Sequence, residues 1–557
     1  MVGALLIALT AGCESSGAGH GGHGGHSDHA AGGGGSPMTD LPAPPAAGRD
    51  INPHPGSALR EGGDLRVPVD ALPSNFNPLH VDGGEPATRL IAEALLPSAF
   101  TDGPDGLPLR NKDFFDRIEL ESTSPQVVRY TITERATWTT NSRPMTWDDL
   151  RAQWLALNGS NPAYEVDTHT GYQDVANVER GATDKEAVVT FRKPFADWPA
   201  LFRPLVPLEI TQTPDAFNNA WKDAPTESSG PFEIDLIDVT AQTFTVRRNE
   251  DWWGTRPPLD RITFRVVPQA ARLDELADGH IDVLPLDLDV DLFTRAKAVP
   301  GVEIRQAPER RAGQLTFTGT LLSDHRLRAA VAQAVNPQAI TDAVVAPIAP
   351  GAKPVGNHLV PPAHPAYKDN SSTLPHNPDA ARATLTKLGW NPTGAVRSKN
   401  GKRLTLRLAV EATPTGRTIG RLLSEQLLAV GIETTLAEVP PERLHDPHRA
   451  PGDFDLIAFE RTKSPYPLSH DRPPSQKDDS GRVDIPEATA LYNRATGELD
   501  QAKRHTLLNQ IDVLTWQHAH HLPLYPVPGA YAVRATLANF GAPGLSSHSF
   551  STAGFLN

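Results

Sequence analysis

The chain has 557 residues, several times one average domain, and its composition, 39% hydrophobic and 21% charged, is that of a globular protein with enough core for two or three lobes. With 66 acidic against 52 basic residues and a net charge of −14, it has no basic footprint for phosphate backbones, which excludes nucleic acid as a partner. The 44 glycines and 53 prolines predict many turns and long surface connections. Beyond the first twelve residues no apolar run approaches the ~18 residues needed to span a bilayer.

Residues 1–12 are apolar and lead to Cys13, the one cysteine of the chain. A short apolar segment ending in small residues before a cysteine reads as a signal peptide with a lipobox, which makes Cys13 the lipid-modified N-terminus of the mature protein. The usual basic start is missing, as expected if translation begins upstream. Residues 13–61 then form a flexible tether rich in glycine, alanine, serine and histidine, and folded chain is expected from about Gly62. Within the tether His20, His23, His26 and His29 recur every third residue. Four neutral imidazoles suit a transition metal; the alternative is a polar spacer that binds metal only opportunistically.

The folded part opens with an alternating strand at residues 62–70 and a turn at 73–79 that contains Asn77. Residues 87–95 form a helix on spacing, with Leu90, Ile91, Ala94 and Leu95 on one face. After a strand at 127–133, Thr146 and Asp149 are placed as a capping box for a helix carrying Leu150, Trp154 and Leu157. Strands at 232–237, 243–247 and 261–267 make a meander, followed by a short helix ending at Gly279. Residues 313–319 read as a strand and Asp324 as the cap of a helix ended by Asn336 and Pro337. Asn377 caps a helix that Pro378 starts, with Gly389 just past its end. A βαβ unit follows at 404–410, 417–430 and 432–439, then a strand at 454–459 and a last helix at 500–518. Three histidines, His518, His520 and His521, close that helix, where cations favour the dipole.

Ser229-Gly230-Pro231-Phe232, then Arg248-Asn249-Glu250-Asp251-Trp252-Trp253-Gly254, then Leu259-Asp260-Arg261-Ile262-Thr263-Phe264-Arg265, and finally Gly279-His280-Ile281-Asp282 occur in that order within residues 229–283. This order is similar to the signature of the bacterial extracellular solute-binding proteins, family 5, in which a "GTGPY" turn, an "RNPDYWG" block, an "LD.I.FR" strand and a "G.(I/V)D" end succeed one another. The resemblance extends from about Gly62 to Phe540. It includes Trp138, Pro144, Thr146, Asp148, Asp149 and Trp154 before the signature, and Asp324, Arg326, Arg328 and Leu522-Pro523-Leu524-Tyr525 after it. It implies an α/β, periplasmic-binding-protein-like fold of class II, cluster C type, with three lobes closing around a cleft. The first lobe would comprise 62–84, 205–315 and 524–557, the second 85–204 and the third 316–523.

No phosphate loop, nucleophile elbow or zinc-protease motif occurs, so the chain is not expected to be an enzyme and needs no cofactor. The resemblance implies a monomeric, lipid-anchored protein on the outer face of the cytoplasmic membrane. It would capture an oligopeptide or similar solute for an ABC permease and its ATPase. Asn77, Phe317 and Thr318 fall where such proteins line the cleft. Oligopeptide-binding relatives carry an aspartate after the 454–459 strand that pairs with the peptide's ammonium; here the loop is expected to read Glu460-Arg461-Thr462-Lys463-Ser464-Pro465-Tyr466. Glu460 is the possible substitute, with Arg461 and Tyr466 as neighbours. Arg461 and Lys463 make the loop net positive, which predicts a neutral or anionic ligand. Two other readings stay open. Residues 94–100 resemble a stretch of the mycobacterial LpqW-type envelope lipoproteins, which implies a non-transport role in wall or glycolipid assembly, and some family members bind nickel or metal chelates.

Overall fold

The computed structural model describes residues 48–444, 454–470 and 485–557. Cys13 and the tether histidines His20, His23, His26 and His29 lie outside these residues. Two four-stranded sheets and one six-stranded sheet carry most of the architecture. The signature meander builds the first: strands Phe232–Asp238, Thr243–Arg248 and Arg261–Val266 pair antiparallel, and Asp64–Val69 joins Arg261–Val266 in parallel. Residues 115–191 build the second, an antiparallel sheet backed by helix Trp147–Leu157. That helix starts at the capping box expected of Thr146 and Asp149: each side chain accepts the other's backbone N–H.

The six-stranded sheet is organised by two long strands, Val302–Phe317 and His521–Arg534, that run antiparallel for most of their length. On one side Val283–Pro285 completes it; on the other Leu456–Thr462, Thr405–Glu411 and Glu433–Val439 follow in order. The βαβ unit is present, its helix spanning Pro414–Leu428 between the parallel strands Thr405–Glu411 and Glu433–Val439. Both long strands feed one large core that holds Leu315, Phe317, Tyr525, Val527, Ala530 and Ala532; Val533 belongs to the other large core, around Phe264 and Phe555.

Four sequence expectations change. The strand foreseen at 313–319 begins eleven residues earlier, at Val302, because the charged stretch Glu309-Arg310-Arg311 stays in the sheet with the register shifted between Pro308 and Ala312. The strand foreseen at 454–459 runs Leu456–Thr462, because Arg311 and Ala312 give Thr462 and Arg461 backbone partners. Folded chain begins before Gly62: Asp50 N–H donates to Ala542 O at 2.9 Å, and Arg60 N–H to Phe555 O at 2.8 Å. The end of helix Gln501–Gln517 is met by Arg328 rather than by histidines. Its guanidinium, 3% exposed, donates to the carbonyls of His518 and Ala519 at 2.9 Å, while burial lowers the pKa of His518.

The "G.(I/V)D" end of the signature has a structural reason. Asp282, 1% exposed, accepts from Arg66 N at 2.8 Å, Nε at 3.0 Å and Nη2 at 2.7 Å, while its own carbonyl accepts Arg534 N–H at 2.9 Å. One residue thus ties the first strand of the fold to the last long strand. Replacing Asp282 by Ala leaves the guanidinium and a backbone N–H without their acceptor, at a cost of about 3 kcal/mol. Scanning calorimetry should show the melting temperature falling by several degrees, with ligand affinity per folded molecule unchanged.

Candidate ligand-binding site

The register shift at Pro308–Ala312 turns Glu309, Arg310 and Arg311 out of simple strand alternation, and two clusters of charge gather on them. The first forms around Arg311. Its guanidinium lies 2.6 Å from Asp287, 3.4 Å from Glu460 and 3.6 Å from Glu309, and Tyr531 Oη donates to Glu309 at 3.3 Å. Tyr525 pairs with Gly313 in the ladder, where a Cβ would stand 2.2 Å from its ring, so glycine is required for the tyrosine to lie across the strand.

Three carboxyl groups therefore meet one guanidinium, and the arrangement shifts their titration. Burial pushes Glu460 up to about 7; Arg311 opposes the rise, and Glu411, Asp287 and Glu309 add to it. Burial raises Glu309 as well. A site of this kind is short of positive charge and would be relieved by a cation entering it.

The second cluster forms around Asp102, whose side chain is 4% exposed and lies 2.8 Å from Arg203 and 3.0 Å from Arg310. Arg203 Nη1 also donates to Tyr466 Oη at 2.6 Å, and Arg310 donates to the carbonyl of Leu545. Segments near residues 102, 203, 310, 466 and 545 are joined through these two guanidinium groups. Beside them a crevice of about 40 Å³, lined by Asp197, His364, Tyr466 and His505 among others, has room for two or three waters and not for a peptide. Burial, more than the nearby His505, lowers His364 to about 4.

The sequence-predicted residues divide between these surroundings and the framework. Glu460 is in the first cluster and Tyr466 in the second. Arg461 follows Glu460 in the same strand and so faces the other side of the sheet: Glu460 shares its side with Leu456 and Ala458 of the large core, Arg461 with Ile457 and Phe459 of a small separate one. Lys463 also turns away from the acids and donates to the Asn357 carbonyl at 2.5 Å. Of the net positive loop expected at 460–466, residues 460–462 are the end of a strand, which sets Glu460 and Arg461 on opposite faces. Phe317 lies in the core at the end of its strand, and Thr318 Oγ1 donates to Phe454 O at 2.6 Å. Asn77 is fully buried and holds its own turn together, donating to Phe217 O at 2.9 Å and accepting from Leu79 N–H at 3.1 Å. Trp253 Nε1 donates to Asp113 O at 2.7 Å, and Trp252 packs on it, as packing anchors of their turn. Among the described residues no group of three or more His, Cys, Asp or Glu is arranged to hold a metal.

Sequence reasoning missed Asp102, Arg203, Asp287, Glu309, Arg310 and Arg311. For three of them a signal was present: Glu309-Arg310-Arg311 is a run of three consecutive charges directly upstream of the stretch that reads as a strand.

The family model of bacterial extracellular solute-binding proteins, family 5, matches residues 117–476. The oligopeptide-binding protein OppA of Mycobacterium tuberculosis H37Rv is 36% identical over 530 residues, which is 94% of this chain and 89% of that protein. A protein of the same organism described as a probable monoacyl phosphatidylinositol tetramannoside-binding protein, LpqW, is 26% identical over 427 residues, 70% of this chain and 66% of its own. Among solved structures, the periplasmic EDTA-binding protein EppA superposes with a TM-score of 0.84 at 22% identity, covering 91% of this chain and 98% of that one, and so shares the fold. The multi-sheet α/β architecture and its fold relatives are those of the periplasmic solute-binding proteins of cluster C, and the chain belongs to the bacterial extracellular solute-binding proteins, family 5.

Proposed function

We propose that this chain is the substrate-binding component of an ABC importer, held by a lipid on Cys13 at the outer face of the cytoplasmic membrane. In that place it captures oligopeptides with a free ammonium end and delivers them to the permease and ATPase subunits. The observation that carries the substrate class is Glu460, 18% exposed, which meets the single guanidinium of Arg311 in the company of Glu309 and Asp287. An ammonium entering beside Glu460 gains an ionised carboxylate partner and removes the like-charge repulsion among the acids, which offsets the cost of taking it out of water. Peptide main chain can pair with backbone groups around the Pro308–Ala312 irregularity, and lobes flexing about the two long strands would close on it. The similarity to OppA, greater in identity and extent than that to LpqW, supports import over an envelope-assembly role. The crevice beside Tyr466 and the absence of a metal-holding group among the described residues give metal chelates no comparable support.

Isothermal calorimetry with a short peptide and its N-acetylated form tests this reading. The free-amino peptide should bind more tightly by about tenfold or more, the size of a partly buried charge pair, and Glu460→Gln should erase the difference while leaving the acetylated peptide's affinity alone. Equal binding of both forms to the unaltered protein would reject the ammonium assignment.

The same carboxyl makes a prediction for the ligand-free protein. Glu460 titrates near 7 when folded and near 4.5 as a free group, so between those values the folded state holds a proton that the unfolded state has lost. Stability from this group is therefore full at low pH and declines as pH rises through 4.5 to 7. The melting temperature of Glu460→Gln relative to the unaltered protein should rise across that interval and level off above it. Taking the difference cancels the opposite trend of His364 and His548, which burial holds near 4 and which lose stability as pH falls.

A further inference from the structure

The Arg311 guanidinium is fanned across three acids, one to each of its nitrogens, and does not divide itself evenly among them. Nη2 donates to Asp287 Oδ1 at 2.6 Å, whereas Nη1 stands 3.4 Å from Glu460 Oε2 and Nε 3.6 Å from Glu309 Oε2. Only the first is a full charge-assisted hydrogen bond; the other two are looser contacts. Asp287 is also set apart by its backbone. Its φ of +48° lies in the left-handed region, which residues other than glycine enter at a cost and which aspartate and asparagine tolerate better than most. The residues on either side hold it there: Leu286 and Leu288 are buried, Leu286 N–H donates to Ala530 O at 2.9 Å, and Leu288 O accepts from Thr415 Oγ1 at 2.7 Å. The turn between strand Val283–Pro285 and helix Val290–Ala296 is thereby anchored on both sides of a carboxylate that reaches Arg311 from the solvent side, its side chain 54% exposed.

We infer that Asp287 is a positioning residue for ligand capture: it draws the Arg311 guanidinium to itself and so keeps the Glu460 carboxylate open to an incoming cation. This rests on the reading that Glu460 receives the ammonium end of an oligopeptide. A guanidinium in full contact with Glu460 would occupy the place of the ligand, and an ammonium would then have to displace a cation tethered to the neighbouring strand. The groups that face Glu460 are Arg311, which favours its charge, and Asp287, Glu309 and Glu411, which oppose it, with Tyr525 nearby. Removing the charge of Asp287 takes away the nearest partner of Arg311 and one like charge. The guanidinium then closes on Glu460, because Glu309 stands farther off and already has Tyr531 Oη at 3.3 Å. Both changes favour the ionised carboxyl, so the titration of Glu460 moves down from about 7.

The test uses the full mature protein, its Asp287→Asn variant and the Asp287→Asn/Arg311→Gln double variant. Asparagine keeps the left-handed turn and the shape of the side chain and removes only the charge. Calorimetry with tetra-alanine and N-acetyl-tetra-alanine gives the ratio of their affinities, which uniform damage to the fold would leave alone. Asp287→Asn should cut this ratio about tenfold at about pH 7, and Arg311→Gln added to it should restore the preference for the free amine. A ratio unchanged by Asp287→Asn, or lowered and not restored by the second change, overturns the role of Asp287 and spares the ammonium reading. The ligand-free protein supplies a second readout: in the Asp287→Asn background, the pH interval over which Glu460→Gln alters the melting temperature should move to lower pH. An unmoved interval also overturns the inference. If the unaltered protein binds both peptides alike, the ammonium reading fails, and the interval alone decides whether Asp287 holds Arg311 off Glu460.

Discussion

The structure depends on the antiparallel pairing of Val302–Phe317 with His521–Arg534 and on the place where that pairing slips. On either side the ladder joins the strands, with a second register shift between Gly313 and Gln314, and most of their buried side chains enter one large core. Between Pro308 and Ala312 the register changes, and there the backbone cannot alternate its side chains in and out of a core. Pro308 lacks an N–H to donate, and Glu309, Arg310 and Arg311 cannot be buried in hydrocarbon without partners. Both problems have the same solution: partners for these charges come from other segments, Asp102 for Arg310 and Asp287 and Glu460 for Arg311.

Charge gathered in this way obeys the accounting of burial. Each guanidinium is met by at least one carboxylate at ion-pair distance, Asp102 for Arg203 and Arg310, Asp287 for Arg311. What remains is acid: Glu309 and Glu460 both have raised pKa values, with burial the largest cause. Acids destabilised in this manner are uncommon in a framework, because ordinary packing would replace them, and they are useful in a binding site, because the ligand restores the solvation they have lost. The net charge of the chain, −14, describes its surface and not this interior, which has its own balance.

The fold was legible wherever local physics decides it. Caps at Thr146, Asp324 and Asn377, the βαβ period, and the order of the signature blocks each report an element without reference to the rest of the chain. The site was less legible for a reason visible in residues 460–463. Read as a loop, Glu460, Arg461 and Lys463 sum to a positive patch; continued as a strand, they point to different sides, and only Glu460 remains with the acids. Where the strand ends is set by Arg311 and Ala312, some 150 residues earlier, and no window of sequence around Glu460 contains that information. Asp102, Arg203 and Arg310 were hidden in the same way, each being an ordinary charged residue until the fold brings it to the others.

The position of the acid in a strand also changes what recognition can be. A carboxylate offered from a loop can move to meet its ligand, and losing that freedom costs affinity. The backbone of Glu460 is fixed by its pairing with Gly313 in the 302–317 strand, and its carboxyl lies 3.4 Å from the Arg311 guanidinium, so less freedom remains to be lost when a ligand arrives. Under the proposed reading such a site would discriminate by distance, because an ammonium paired with Glu460 would leave the rest of the ligand in one register.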